Sequence, residues 1–419
     1  MLTGGKAIAS GGFGCIFSPE LKCNNSSSNM LVTTNDRISK LMINKYAELE
    51  YQNILKFKTI LQNIPNYSNF FLLNDFTLCQ PDKLTNNDLK SYNNKCSALK
   101  NKKITKKNIN KSLHLIKSLN MPNGGVDIKH YLNKYNSLRM IDVNNSLINL
   151  LIHGILPMNK LNVYHADIKS GNILIKHDNN ILHSRIIDWG ISFYKTDNAI
   201  PANLRKRIFQ YNTPFSVIIF NESFIKSYKK LIHDNAIINP QILREFILNY
   251  IFKWTSIRGV GHLNTINTII SKLTASILPN AKSNVKEMLL KKDFTYYYII
   301  EYIAKILTTF TINNQFMVDD YYNNVFLKNI DIWGFMSIYI YMFEIVYNIP
   351  SLKNTPLSNK LKYIIIHFLF ETSCEAINTH ILIKNLHELN ILFKDVIFDD
   401  KHKSIKLRKT QKMRKIRKT

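Results

Sequence analysis

The chain has 419 residues, 45% of them hydrophobic, which is the composition of an ordinary globular protein with roughly two or three lobes. Its formal net charge of +27 is extreme and favours acidic partners such as nucleic acid, acidic proteins or an anionic surface. The five cysteines are irregularly spaced without a C-x-x-C pair, which argues against disulfides and a zinc site and predicts a reducing, intracellular compartment.

The first predicted element is a β-turn-β unit over residues 7–17, after an N-terminus that lacks the apolar core of a signal sequence. Two short apolar runs flank a cluster that contains Gly11, Gly12 and Gly14. Glycines let backbone N–H groups approach a phosphate without a Cβ in the way. The cluster is therefore either a phosphate-binding turn or an ordinary tight turn.

A predicted strand over residues 37–43 and a predicted helix over residues 44–62 follow a polar loop. Lys40 is flanked by apolar residues, so we expect its side chain to point into a cleft; a solvent-facing lysine is the alternative. Glu50 lies beside the apolar face of the helix and is the predicted ion-pair partner of Lys40, with Glu48 as the rival.

The next segments are predicted as two strands separated by a polar insertion. Residues 69–79 and 112–119 have the strand pattern, whereas the Lys- and Asn-rich residues 80–111 predict an exposed, partly disordered insertion. Residues 120–125 read Asn-Met-Pro-Asn-Gly-Gly and predict a turn, because proline and paired glycines interrupt regular structure.

A predicted helix over residues 143–160 leads into the most informative stretch of the sequence. It reads H-x-D-x-K-x-x-N, with His165, Asp167, Lys169 and Asn172 at the fixed positions. In phosphoryl transfer, Asp167 can accept the proton of an attacking hydroxyl and Lys169 can neutralise charge on the moving group. Asn172 can bind a metal ion through its amide oxygen, while His165 is expected to pack and brace the loop.

A second motif follows as an apolar strand that ends in Asp188-Trp189-Gly190. The turn at its end places Asp188 where the carboxylate can bind Mg²⁺. Much later, Asp331-Ile332-Trp333 begins an apolar helix that continues to about residue 346 and is too short to span a bilayer.

The remaining sequence is predicted to be mainly helical. An insertion occupies about residues 221–330, and two closing helices come near the end of the chain. The predicted helices of the insertion are 224–233, 240–254, 263–278 and 284–310, and the closing helices are 357–371 and 376–394.

Together these motifs resemble the catalytic loop, the Asp-Phe-Gly metal motif and a buried helix start of the protein kinase family. The chain looks most like the divergent Ser/Thr-type protein kinases of large cytoplasmic DNA viruses, which implies localisation in the host cytoplasm and the virion. Ala166 stands where most such kinases have Arg, and Trp189 stands where they have Phe. Since Ala166 cannot pair with a phosphate on the activation segment, we expect activity without phosphorylation of that segment.

The resemblance implies an α+β fold of the bilobal kinase type, with a small β-rich N-lobe and a larger helical C-lobe. We expect the N-lobe at residues 1–119, the hinge at 120–125, and the C-lobe at 126–400 with its helical insertion.

The resemblance also implies ATP as the cofactor, with Mg²⁺, or Mn²⁺ in its place, bound by Asn172 and Asp188. Lys40 is expected to pair with the α- and β-phosphates, and backbone groups of the hinge to hold adenine. Ala9 stands at the first glycine position of the kinase glycine-rich loop. The residues expected to contact the nucleotide are Ala9, Gly11, Gly12, Phe13, Gly14, Ile16, Lys40, Glu50, Asn120 and Met121.

The implied activity is transfer of the γ-phosphoryl group of ATP to Ser/Thr hydroxyls of proteins, with Asp167 and Lys169 as the catalytic residues. Lys169 favours Ser/Thr over Tyr. Residues 210–216 are the candidate segment for seating the substrate, and residues 258–262 form either a functional loop or a turn between helices. Two alternatives stay open: a small-molecule phosphotransferase of the aminoglycoside or choline type, and a catalytically weak, kinase-like scaffold that binds nucleic acid.

The last nineteen residues, 401–419, carry ten lysines and arginines and no acidic residue. Such a segment cannot build a core, so a largely disordered arm is expected. It is predicted to anchor nonspecifically to nucleic acid or to an acidic virion or host protein. A merely solvated or nuclear-targeting tail is the alternative.

Overall fold

Two units make up the chain in the computed structural model. The first comprises Met1–Val126 and Leu174–Ser192, and the second comprises Asp127–Ile173 and Phe193–Thr419. The structure describes residues 5–24, 36–135, 139–178, 181–197, 199–235, 237–274 and 294–395. The predicted basic tail, residues 401–419, lies outside these residues. The first unit contains an antiparallel sheet and the second is mainly helical, so the predicted α+β class is confirmed.

A five-stranded antiparallel sheet of order β1-β2-β3-β5-β4 organises the first unit. Its strands are β1 (Lys6–Ser10), β2 (Gly14–Ser18), β3 (Arg37–Ile43), β4 (Thr77–Cys79) and β5 (Ile116–Pro122). β4 is much shorter than the strand predicted over residues 69–79, because that stretch begins in a 3₁₀ turn. β5 extends through Pro122, so the first half of the predicted hinge turn is part of a strand.

The register of this sheet separates two sets of side chains. Ile16 in β2 and Leu119 in β5 both lie opposite Lys40 in β3, so the three side chains share one face. Ser39 and Asn120 are also opposite one another, and they lie on the other face. A single lysine is therefore placed among apolar neighbours on the first face, as its sequence context predicts.

Helix α1 (Asn44–Leu61) follows β3 directly and matches the predicted helix over residues 44–62. Its buried residues recur at helical spacing and form one continuous stripe. They are Ala47, Glu50, Ile54, Phe57 and Leu61. An acidic residue within an otherwise apolar stripe requires a partner, because an unpaired buried charge is costly.

The insertion over residues 80–111 is folded, which corrects the prediction of an exposed and partly disordered segment. It contains short helices at Tyr92–Lys95 and Ser97–Lys100 and buries apolar side chains in one cluster with residues of β1, β2, β3 and β5. The buried residues of the insertion are Leu84, Leu89, Tyr92, Cys96, Leu99, Ile104 and Ile109. These residues are widely spaced among polar residues, so the composition of the segment does not indicate a core. They nevertheless form one when they are buried together.

Two disulfides, Cys15–Cys96 and Cys23–Cys79, attach this region to the sheet and contradict the prediction of a chain without disulfides. The Cα atoms of the first pair are 5.2 Å apart and those of the second pair 5.7 Å, within the range of natural disulfides. Cys374 is the free cysteine. The cysteine content therefore gives no support for a reducing compartment.

A three-stranded sheet combines Val126–Asp127, Ile173–Asp178 and Ile181–Ile186, with the second strand in the centre. The chain reaches it through Gly125, which has a φ of +101°. A Cβ at this glycine would collide with the carbonyl of Ile175, so the turn requires glycine here.

The second unit is built from helices and small two-stranded pairs. The pairs are Val163–Tyr164 with Phe193–Tyr194, and Thr311–Ile312 with Gln315–Phe316. The helices are Ile128–Tyr135, Met140–Leu150, Leu156–Lys160, Ala202–Arg205, Glu222–Asp234, Pro240–Arg258, Leu263–Thr274, Phe294–Thr309, Val318–Tyr321, Leu327–Asn348, Pro356–Ile365 and 379–395. Short π-helical stretches at Leu151–Ile155, Tyr322–Phe326 and Ile366–Glu371 connect several of them.

Most predicted helices of this unit are confirmed. Those at 143–160, 224–233, 240–254, 357–371 and 376–394 each have an observed counterpart. The predicted helices 263–278 and 284–310 are confirmed in part, because residues 275–293 lie outside the described residues.

The helix Leu327–Asn348, hereafter the Asp331 helix, is buried along almost its whole length. An all-round apolar helix belongs in a protein core or in a membrane. With the preceding residues it forms a helical stretch, Val318–Asn348, of 31 residues, which is long and apolar enough for a bilayer and corrects the prediction that it is too short. However, 78% of the most apolar 18-residue stretch of this helix is buried inside the protein, so the described residues contain no clear membrane span.

Candidate active site

The glycine turn joins β1 to β2 and is open on one side. The N–H of Gly11 donates to the carbonyl of Gly14 at 2.9 Å and closes the turn. A Cβ on Gly12 would meet nothing within 4 Å, and one on Gly11 would meet the Gly14 carbonyl at 3.9 Å. The packing of the protein therefore does not require Gly11 or Gly12, whereas close approach of a phosphate to the backbone would. Phe13, also in the turn, is 48% exposed and its ring centre lies 5.0 Å from that of Tyr46.

Gly14 has a different role from the other two glycines. A Cβ at this position would lie 2.9 Å from the carbonyl oxygen of Leu41, so glycine is what allows β2 to approach β3. Ala9 pairs with Ile16 across β1 and β2, and Ile16 pairs in turn with Lys40. The predicted nucleotide-contact residues of these strands thus lie on the same face as Lys40.

Lys40 forms a buried ion pair with Glu50. Its Nζ lies 2.7 Å from both carboxylate oxygens of Glu50 and 3.6 Å from Oδ1 of Asp188. Glu48 instead pairs with Lys117 at 2.7 Å on the surface. The structure therefore forms the predicted pair with Glu50 and not the rival pair with Glu48.

The electrostatics of this group favour a charged lysine. Burial alone would lower the pKa of Lys40, but the carboxylates of Glu50 and Asp188 outweigh burial and raise it. The side chain of Asp188 is 39% exposed, and its backbone has a φ of +69°. The site thus holds a fixed ammonium beside an accessible carboxylate, which suits a phosphate anion accompanied by a divalent cation.

Trp189, the aromatic residue that follows Asp188, is packed among other aromatic side chains in the first unit. It is 1% exposed, and its ring centre lies 5.2 Å from that of Phe57 in α1 and 5.8 Å from that of Phe71. Through this aromatic cluster, the turn that carries Asp188 packs against the helix that carries Glu50. The same packing thus supports both acidic partners of Lys40.

The predicted hinge residues Asn120 and Met121 fall on opposite faces of β5. The Asn120 side chain lies in a buried polar network: it accepts hydrogen bonds from Ser39 at 2.6 Å and Ser118 at 2.7 Å, and donates to the carbonyl of Leu21 at 3.2 Å. Met121 lies on the same face as Lys40. Of the two side chains, that of Met121 is therefore the one on the face that carries Lys40.

In the second unit, the Asp331 helix holds the loop that carries the H-x-D motif. The Asp331 carboxylate accepts the backbone N–H of His165 at 2.9 Å and that of Ala166 at 2.7 Å. Ala166 has a φ of +61°, and His165 is fully buried with its ring accepting the N–H of Asp167 at 3.3 Å. His165 therefore packs and braces the loop, as predicted.

Asp167 lies at the centre of a hydrogen-bond network that occupies both of its carboxylate oxygens. Oδ2 accepts from Lys169 at 2.7 Å and from Asn172 at 3.0 Å. Oδ1 accepts from Asn212 at 2.9 Å and from Arg207 at 3.2 Å. The structure thus brings together Asp167, Lys169 and Asn172, and adds two residues that the sequence analysis did not assign to the site.

The pKa of Asp167 is lowered by these partners. Burial alone would raise it, but the charges of Lys169 and Arg207 and the hydrogen bonds of Lys169 and Asn212 outweigh burial. The carboxylate is therefore ionised at neutral pH and held in one orientation. It can accept a hydrogen bond from a hydroxyl group, although it is a weak base.

The two added residues differ in how visible they are in the sequence. Asn212 falls in residues 210–216, the segment predicted to seat the substrate. Arg207 belongs to the run Arg205-Lys206-Arg207, which is typical of an exposed basic surface. No sequence signal distinguishes the buried Arg207 from the half-buried Arg205 and the exposed Lys206.

Each unit contains a side chain with an oxygen atom that can bind a divalent cation. Asn172 donates through its amide nitrogen to the carbonyl and the carboxylate of Asp167, which leaves its amide oxygen as the atom that can bind a metal. Asp188 offers a partly exposed carboxylate. Oxygen donors of this kind match Mg²⁺ and Mn²⁺. Within the described ranges, no cluster of three or more His, Cys, Asp or Glu could hold a metal ion.

Comparison with known proteins adds no family to this description. No protein-family model matches the chain, and no curated protein matches it. The functional assignment therefore depends on the motifs and on the geometry of the two groups around Lys40 and Asp167.

Proposed function

We propose that the chain is an ATP-dependent protein kinase that transfers the γ-phosphoryl group to Ser/Thr hydroxyls of proteins. The observation that carries this proposal is the buried Lys40–Glu50 ion pair with Asp188 beside it, in the same unit as the open glycine turn. A buried, doubly compensated lysine is expensive to build, and phosphate binding gives a reason for it.

Each residue has a distinct role in the proposed reaction. Lys40 neutralises the α- and β-phosphates, and the backbone of the glycine turn contacts phosphate oxygens. Asn172 and Asp188 would hold Mg²⁺ or Mn²⁺, which supplies positive charge for the phosphates. Lys169 offsets charge on the transferred group as the acceptor oxygen approaches.

Asp167 orients the acceptor hydroxyl more than it deprotonates it. Its lowered pKa makes it a poor base in the ground state. In a loose phosphoryl-transfer transition state, the acceptor oxygen needs little nucleophilic activation, so an orienting carboxylate that accepts the proton late is sufficient. The fixed network around Asp167 supports this role.

Two alternative functions remain to be compared with a protein kinase: a phosphotransferase that acts on small molecules, and a scaffold without catalytic activity. Aminoglycoside- and choline-type phosphotransferases share the H-x-D pattern, but Lys169, the glycine turn and the Asp331 helix favour a protein kinase. A non-catalytic scaffold would not need Lys40, Asp167, Asn172 and Asp188 together.

The decisive experiment supplies purified protein with labelled ATP and Mg²⁺ together with either casein-like proteins or a panel of amino sugars. We expect label on Ser/Thr of the proteins and none on the sugars. Asp188→Ala should reduce transfer on the order of a thousandfold or more, because it removes a metal-binding carboxylate. Near wild-type transfer by folded Asp188→Ala protein would overturn the assignment, and labelled sugars would favour the small-molecule alternative.

We also propose that the basic tail, residues 401–419, anchors the protein to nucleic acid or to an acidic virion or host protein. Its ten positive charges support this, and the resemblance to viral kinases supports localisation in the host cytoplasm and the virion. Binding to nonspecific DNA or RNA should weaken steeply with salt, because neutralised phosphates release counterions. Deletion of 401–419 should reduce both affinity and salt slope; equal retention of nucleic acid at low salt would exclude the tail as the anchor.

A further inference from the structure

The guanidinium of Arg207 is buried against the loop that carries Asp167. Its side chain is 6% exposed, and Nη2 lies 3.2 Å from Oδ1 of Asp167. Nη1 donates to the carbonyl of Ala166, and Nε donates to Oε1 of Gln210 at 2.9 Å. The three nitrogens of the guanidinium are thus all engaged, and two of them hold consecutive residues of the loop.

This arrangement fixes both the backbone and the side chain at one point of the loop. Ala166 has a left-handed backbone conformation and no side chain that could reach a partner. Its N–H is held by Asp331 and its carbonyl by Arg207, so the peptide groups on both sides of Ala166 are anchored. The same arginine restricts the carboxylate of Asp167, which the fork geometry of a guanidinium allows and an ammonium does not.

The segment that carries Arg207 also contacts the helical insertion. Arg258, at the end of the helix Pro240–Arg258, donates to the carbonyl of Lys206 at 3.0 Å. The N–H of His262 donates to the carbonyl of Phe209 at 2.9 Å. The His262 ring stacks on Tyr211 with ring centres 5.3 Å apart. The loop over residues 258–262, for which the sequence left two roles open, therefore packs on the segment next to Arg207.

We propose that Arg207 is a positioning residue for Asp167, and that the insertion holds it in place through the loop 258–262. This inference rests on the proposed kinase function and gives the insertion a role in it. It also gives a physical reason for activity without phosphorylation of this segment: each nitrogen of the guanidinium already donates to a protein acceptor, so no phosphate is needed to order the segment. Thr213 in the same segment is 1% exposed and is therefore not accessible for phosphorylation in this structure.

The first test compares Arg207→Ala, Arg207→Lys and Arg205→Ala. Arg205 belongs to the same basic run but pairs with Glu222 on the surface, which makes it a matched control. Arg207→Ala should lower kcat by roughly 100-fold with KM for ATP changed less than about threefold, because misplacing a reacting group by about 1 Å has an effect of that size. Added guanidinium should restore part of the lost kcat, Arg207→Lys should fall between the two, and Arg205→Ala should match wild type.

Several results would contradict the role given to Arg207 and leave the proposed kinase function unaffected. One is wild-type kcat in Arg207→Ala. Another is a loss of kcat that neither guanidinium nor lysine relieves, which would make Arg207 a purely structural anchor. Phosphatase treatment that lowers wild-type activity tenfold, restored by phosphorylation at Thr196 or Thr213, would remove the claim that the arginine makes a phosphate unnecessary.

The second test does not depend on kinase activity, so it separates this inference from the proposed function. Arg258→Ala should increase amide hydrogen exchange in residues 206–212 and 165–169. Arg244→Ala, on the same helix but paired with Glu301 at the surface, should leave exchange in both segments unchanged. Unchanged exchange in Arg258→Ala would exclude the insertion as the support of Arg207. Wild-type protein that transfers no phosphate to any acceptor would instead refute the kinase assignment itself.

Discussion

The carboxylate of Asp331 accepts the backbone N–H of Ala166 at 2.7 Å, across more than 160 residues of sequence. The same carboxylate accepts the N–H of His165 at 2.9 Å and the side-chain amide of Asn159 at 2.8 Å. A fully buried acid that satisfies three donors connects the central helix of the second unit to the loop with the proposed catalytic Asp167. The position of that loop is therefore set by the core of the unit.

Asp331→Asn should destabilise the protein by about 1–3 kcal/mol, because one acceptor oxygen becomes an NH₂ that faces buried donors. The midpoint of urea-induced unfolding of the purified protein measures this loss. Asp320→Asn changes an exposed carboxylate in the helical stretch just before and is the control, with an unchanged midpoint expected. Equal midpoints for the two variants would contradict the role given to Asp331.

A second prediction concerns the two glutamates of α1. Glu50→Gln removes one of the two charges that compensate the buried Lys40, whereas Glu48→Gln affects a surface pair with Lys117 that is worth about 0–1 kcal/mol. We expect Glu50→Gln to lower kcat/KM for ATP by roughly 100-fold through displacement of the lysine. Steady-state rates at varied ATP measure this, and Glu48→Gln should stay within about twofold of wild type. The reverse ranking of the two variants would show that the ion pair with Glu50 has no part in nucleotide use.

A third prediction concerns the disulfides. Alkylation of the folded protein without reductant, followed by mass spectrometry, should label Cys374 and leave Cys15, Cys96, Cys23 and Cys79 unlabelled. Replacement of both Cys15 and Cys96 by serine should lower the free energy of unfolding by about 2–4 kcal/mol, since the bond closes a long loop in the unfolded chain. Labelling of all five cysteines before reduction would show that the bonds do not form.

The sequence predicts the groups around Lys40 and Asp167 because their pattern is local. Lys40 lies in an apolar strand, Glu50 beside an apolar helical face, and Asp167 in a dense polar motif. Arg207 could not be found in this way, since its burial depends on a partner 40 residues earlier that only the fold brings near. The same reason applies to the disulfides, whose cysteines are separated by 81 and 56 residues.

The insertion over residues 80–111 shows that amino-acid composition alone does not predict whether a segment is folded. Its lysines and asparagines predict an exposed segment, yet Tyr92, Leu99 and Ile109 are fully buried. Sparse apolar residues are sufficient here because they are buried in one cluster with residues of the sheet, to which the disulfides join the segment. An unfolded segment would need a larger apolar content to fold alone.

The last prediction concerns the pH dependence of the loop 258–262. Burial lowers the pKa of His262, the charges of Lys169 and Arg207 lower it further, and Asp167 partly opposes them. The ring Nδ1 is buried and has no hydrogen-bond partner among the described residues, which suits a neutral imidazole stacked on Tyr211.

Because the folded protein disfavours protonated His262 relative to the unfolded chain, this residue's contribution to stability is fully present above its unfolded pKa of about 6.5 and declines as the pH falls below that value. Urea unfolding at pH 7.5 and 5.5 should therefore show a larger loss of stability on acidification for wild type than for His262→Gln, which cannot be protonated. His233→Gln removes an exposed imidazole and should behave as wild type. Since all other titrating groups are common to the proteins, the difference between wild type and His262→Gln isolates His262. A difference that is the same at both pH values, or that grows in favour of wild type in acid, would mean that the loop does not hold a neutral histidine against the segment of Arg207.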